Sequence, residues 1–178
     1  MAVAACRNPA KLNLAVQENG LGDRALEEKI KPEIEPIIRG LGFALVELKV
    51  GLSHQNAHVT AVVYRQDGVG IDDLSKINKI CRPNLELFLA AANLTFEVSS
   101  PGIDRKLKSV EEYSIFKGKG VKLLLQSDSA WEHGVIEQAD AKTLWLNTAH
   151  GTRELELAEI KKAKLDYTQE VISLNHVC

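Results

Sequence analysis

The 178 residues are enough for one large domain or two small ones, and an apolar share of 45% is that of an ordinary globular chain. The 22 basic and 24 acidic side chains leave a net charge of −2, which excludes coating a nucleic acid through overall charge, so any RNA contact has to come from a local patch. No apolar run reaches the ~20 residues of a membrane span, and Cys6, Cys81 and Cys178 lie too far apart to read as a zinc or disulfide framework. The expectation is a soluble, cytoplasmic monomer that keeps its thiols reduced. Val3-Ala4-Ala5-Cys6 is superficially a lipoprotein box, but five residues before the cysteine cannot hold a signal peptide.

The first element is a helix over 23–41, where Leu26, Ile30, Ile34, Ile37, Ile38 and Leu41 recur at three- and four-residue spacing. Residues 1–22 precede it as an expected flexible extension. Pro32 and Pro36 each remove a backbone donor, which predicts a kink or a second helix starting near Pro32, and Gly40 and Gly42 end the element. A strand follows over 44–50, with Ala44, Val46, Leu48 and Val50 on one face and Glu47 and Lys49 on the other. It pairs in an antiparallel hairpin with a second strand, 57–65. After the turn at Gln66-Asp67-Gly68 a second helix carries Leu74, Ile77, Cys81, Leu85 and Phe88 on one stripe, with Asp72 or Asp73 capping its start and Pro83 bending or splitting it. Strand 94–98 completes an α-β-β-α-β unit with two helices on one face of a three-stranded sheet, an α+β N-terminal domain over 23–100.

Pro101 and Gly102 stop that strand, and 101–116 reads as a linker. Beyond it come five short strands, 121–126, 132–138, 143–146, 154–157 and 163–167, the number a small closed barrel needs to hide its edges. The C-terminal domain is therefore placed at 117–168, with a tail over 169–178.

Catalytic and ligand-binding patterns are weak. No Gly-x-Ser-x-Gly elbow is present, so Ser99 and Ser100 read as turn residues. His54 and His58 have metal-pair spacing but flank a loop-to-strand transition, Glu132-His133 reads as barrel surface, His150 fits a turn and His176 lies in the tail. Gly118-Lys119-Gly120 leads into a strand, unlike a phosphate loop, and Asp72-Asp73 is explained by helix capping. No cofactor, metal ion or enzymatic activity is expected. The interval 104–122 stands out, with Arg105, Lys106, Lys108, Lys117, Lys119 and Lys122 against Asp104, Glu111 and Glu112, a net +3 that leaves −5 on the rest. Tyr113 and Phe116 within it either plug the barrel or stack on bases. Lys161, Lys162 and Lys164 form a second cluster, with Lys162 and Lys164 on one strand face.

The junction Ser99-Ser100-Pro101-Gly102-Ile103-Asp104-Arg105, followed by Lys117-Gly118-Lys119-Gly120-Val121, resembles the signature of the RimP-type ribosome maturation factors. The helix end at 34–43, the strand at 59–64 with the acidic helix start at 70–74, and the last strand at 160–165 match the same family in order, so the resemblance spans about 25–167. The proline within the second helix and the short connection at 90–93 depart from it. The resemblance implies an SH3-like or Sm-like barrel and a non-enzymatic factor for maturation of the small (30S) ribosomal subunit. Such a factor acts transiently on the free immature subunit, assists folding of ribosomal RNA around the central pseudoknot and decoding region, and contacts small-subunit protein twelve through its barrel. Arg105, Lys106, Lys108, Lys117 and Lys119 are the expected ribosome contacts, and Ser99, Ser100, Pro101, Gly102 and Asp104 the junction motif. The alternative is a regulatory RNA- or peptide-binding module with an Sm-like barrel, unconnected with ribosome assembly.

Overall fold

The computed structural model describes residues 20–53, 56–90, 93–127 and 130–168, the first four by their backbone alone. Residues 1–19 of the expected extension and the tail 169–178 lie outside the described residues, and with them Cys6, His54, His176 and Cys178.

Helix α1 runs over Gly20–Gly40 as one element, and Leu26, Ile30, Ile34 and Ile38 are its buried stripe. The prolines do not divide it. Pro32 and Pro36 are four residues apart on the exposed face, so the bonds they forgo, to the carbonyls of Glu28 and Pro32, are lost on the solvent side while packing holds the opposite face together. Gly42 ends the helix at φ +86, with its N–H on Arg39 O and the Phe43 N–H reaching back to Ile38 O, a pair of bonds that needs a left-handed residue between them. Helix α2, Ile71–Leu89, is likewise unbroken, since Pro83 is exposed. Asp73 reaches back to the Gly70 N–H at 3.0 Å and holds Arg65 at 2.8 Å, tying the turn to the start of α2.

Strands β1 (Ala44–Ser53), β2 (Asn56–Tyr64) and β3 (Asn93–Ser99) form a sheet in the order β1-β2-β3. β1 and β2 are the expected antiparallel hairpin, whereas β3 runs parallel to β2, with α2 as the crossover that a parallel pair requires. Leu48, Val50, Val59, Val63 and Phe96 meet the α1 and α2 stripes in one core, in which Cys81 is buried. The alternation expected in β1 fails at one place. Leu45 pairs with Val63 and Glu47 with Val62, so Val46 is an extra, bulged residue, and Leu45 rather than Ala44 or Val46 faces the core.

Strands β4 (Gly120–Leu125), β5 (Trp131–Ala139), β6 (Thr143–Thr148), β7 (Gly151–Glu156) and β8 (Ile160–Leu165) form an antiparallel sheet in the order β7-β6-β5-β4-β8. It is bent by irregularities in β4 and β5 around Val121, Leu123, Ile136, Leu144, Leu146 and Leu165, and a single 3-10 turn, Leu157–Glu159, carries the chain from one edge strand to the other. This is the SH3-like small barrel. Gly134 is obligatory within it, because a Cβ there would sit 2.6 Å from Asn147 O and 2.7 Å from Leu146 Cγ.

Candidate functional site at the domain junction

Residues 105–116, expected as part of a linker, are built into the barrel. Leu107 donates its N–H to Ala163 O and Leu165 donates to Arg105 O, so 105–107 lies along the free edge of β8, with Lys106 bridged to Lys164. Helix α3, Val110–Ile115, then packs Tyr113, and Phe116 just beyond it, into the barrel core. These two aromatics are plugs. The exposed stretch is shorter: Ser99, Ser100, Gly102 and Asp104 face solvent and Pro101 is half-buried, with the Arg105 N–H bonded to Gly102 O to close the turn.

At this turn the two domains are joined by charge. The bulge at Val46 releases β1 from strict alternation, so that Val46 packs on the barrel core while Glu47 turns toward the junction. Arg105 Nη1 donates to Glu47 Oε2 at 2.8 Å, and its Nε and Nη2 grip the Glu112 carboxylate at 3.1 and 3.0 Å. Lys108 Nζ reaches Glu47 Oε1 at 2.6 Å, and Lys49 approaches the same oxygen at 3.6 Å. The side chains of Arg105 and Glu112 are only 10% and 4% exposed, so each charge depends on the other for its solvation. Burial pushes the Glu47 carboxyl up, but hydrogen bonds from Lys108 and Arg105, with their charges, outweigh it and hold the group down at about 2. The Arg105 guanidinium, although penalised by burial, is moved further up by its two carboxylates. Burial, with the Glu112 charge beside it, pushes the Tyr113 phenol up to about 12. An apolar contact backs the clamp: the rings of Tyr64, from the end of β2, and Phe116 lie 4.8 Å apart at 60°.

The five cations singled out in the sequence are therefore divided. Arg105 points inward and Lys108, half exposed, is held by Glu47. Lys106 and Lys117 are exposed, and Lys119 sits over the Tyr167 ring at 5.6 Å. The sequence did not reveal Glu47 and Glu112 as partners; Glu112 entered only as a charge in the count, and Glu47 lies 58 residues away along the chain. It also did not reveal that Lys106, Lys164 and Lys122 stand abreast in register. Of the histidines, His58 is exposed near Glu97, and His133 Nδ1 lies 3.2 Å from Asp166. Among the described residues no group of three His, Cys, Asp or Glu is placed to hold a metal ion, and no helix is long and apolar enough to cross a membrane.

The arrangement is that of a two-domain protein, an α+β domain clamped to a small barrel, with its surface lysines near the joint. The family model of the RimP N-terminal domain matches residues 33–104. The chain is 35% identical to the ribosome maturation factor RimP of Borrelia hermsii over 132 residues, covering 74% of this chain and 90% of that protein. The protein of the same name from Borrelia turicatae is 33% identical over 134 residues, with the same coverage. The chain belongs to the RimP family of ribosome maturation factors.

Proposed function

We propose that this protein assists maturation of the small (30S) ribosomal subunit by binding the free, immature particle and favouring one fold of its RNA. The observation that carries the reading is the match to ribosome maturation factors across 90% of their length and 74% of this chain. The factor works by binding, without a catalytic step, and does so transiently in the cytoplasm. The two domains, held by Arg105, present a fixed surface, so that binding energy goes into selecting one RNA conformation from several. Lys106, Lys117 and Lys119, with Lys108 at the edge of the clamp, supply the phosphate-facing charge, and Arg105 serves by positioning the segment that bears them. The acidic balance elsewhere suits a strongly basic ribosomal protein, small-subunit protein twelve, as the barrel's partner. In sucrose gradients the protein is expected to travel with free small subunits and to be absent from translating ribosomes. Cells lacking it are expected to accumulate free subunits with unprocessed small-subunit RNA. Uniform distribution along the gradient, with normal RNA ends in the deletion strain, would favour the regulatory-module alternative.

A further inference from the structure

The outer face of the barrel carries a row of like charges that begins at Lys106, beside the junction. In an antiparallel sheet, directly paired residues point to the same side. Lys106 pairs with Lys164, Lys164 with Lys122, and Lys122 with His133, so one row across the 105–107 edge, β8, β4 and β5 reads Lys-Lys-Lys-His. The neighbouring row, two residues along each strand, reads Lys162-Leu124-Trp131. The opposite side of these strands is the core, where Val121, Leu123, Ala163 and Leu165 are buried, so both rows face outward. Like charges directly opposite one another in a sheet are destabilising, and among the described residues no carboxylate forms an ion pair with Lys106, Lys122, Lys162 or Lys164. Asp166, which feels the charge of Lys122, is already engaged by Thr168 and His133. Trp131 is 38% exposed beside Leu124, a large aromatic left in solvent on the same face as four cations.

We propose that this face of β8, β4 and β5 binds single-stranded RNA, with Lys106, Lys122, Lys162 and Lys164 on the phosphates and Trp131 stacked on a base. The chemistry is that of sequence-tolerant single-strand binding, in which a cationic surface follows the backbone and an exposed ring takes the π-face of any base. A polyanion also relieves the repulsion within the lysine row. The inference rests on the ribosome-maturation reading and deepens it by extending the RNA contact from Lys106 at the junction across the barrel.

The test uses the full chain carrying Trp145→Phe, so that Trp131 is the sole tryptophan and reports directly, with a twelve-nucleotide oligouridylate as probe. Stacking is expected to quench its fluorescence, and Trp131→Ala in the unaltered chain to weaken binding about 5- to 150-fold by anisotropy, the range for loss of one stacked base. The pair Lys122→Glu and Lys164→Glu is expected to weaken binding at least tenfold. The slope of log affinity against log salt should fall from about −2.8 to about −1.4, at roughly −0.7 per phosphate contact. These residues are surface groups, and circular dichroism of each variant checks the fold. Binding that leaves Trp131 unquenched and the lysine pair without effect would overturn the proposal, as would equal quenching by polyglutamate, which would make the face a dock for acidic protein. If oligouridylate does not bind while the unaltered chain still sediments with free small subunits, the barrel inference falls and the proposed function stands. If the chain binds oligouridylate through Trp131 but never sediments with small subunits, the reverse holds.

Discussion

Replacing Arg105 with methionine removes the charge of the clamp while keeping most of its volume. Three nitrogens of Arg105 bond two carboxylates, and they lose it unequally: Glu47 keeps Lys108 and Lys49, while Glu112, at 4% side-chain exposure, has Arg105 as its ion-pair partner among the described residues. A buried carboxylate deprived of its cation typically costs 3–5 kcal/mol, because the desolvation already incurred is no longer offset. At about 2–4 °C per kcal/mol for a chain of this size, melting should fall by roughly 6–20 °C. The assay is thermal and urea unfolding of the single variant beside Arg105→Met with Glu112→Met, since removing both charges should recover most of the loss. A single variant within about 1 kcal/mol of the native protein would refute the reasoning. So would a double variant as unstable as the single, since either result would mean that water, and not Arg105, stabilises Glu112.

Glu47, held at about 2 against its ordinary 4.5, contributes stability that is full above 4.5 and lost as pH falls through about 2. Urea midpoints measured between pH about 5 and about 2 should therefore drop more steeply for the native chain than for Glu47→Gln. Gly134→Ala should cost at least about 1–3 kcal/mol by the same assay, since the added methyl meets the Asn147 carbonyl in the adjacent strand and neither strand can shift without breaking register. With the exposed turn at 99–104 and 105–107 hydrogen-bonded to β8, a protease cutting before Asp104 should nick the native chain faster than trypsin cuts after Arg105. The Cys81 thiol, pushed up to about 11 by burial, should react with a disulfide reagent only on unfolding in a Cys6→Ser, Cys178→Ser variant.

Helices α1 and α2 and the strands of both domains were legible because each is written in local periodicity, whereas the short α3 was hidden in what reads as a linker. The stripe Leu26, Ile30, Ile34, Ile38 makes a helix whatever surrounds it, the alternation of Ala57, Val59, Ala61 and Val63 makes a buried strand, and Pro101-Gly102 stops β3 for reasons internal to those two residues. Even the prolines misled only about continuity, because their cost depends on which face of the helix they occupy, and that is set by the core. The tertiary structure alone decided the rest. The bulge at Val46 exists because β1 serves two cores at once, and a period-two pattern contains no sign of where a strand must change allegiance. Arg105 looked like one cation among six until folding set Glu47 and Glu112 around it, and what makes it a clamp is desolvation, which belongs to the packed site and not to the residue. The lysine row is likewise a matter of register: residues 106, 122 and 164 are neighbours only because three segments pair in that alignment, and pairing between distant segments is what a one-dimensional pattern does not contain.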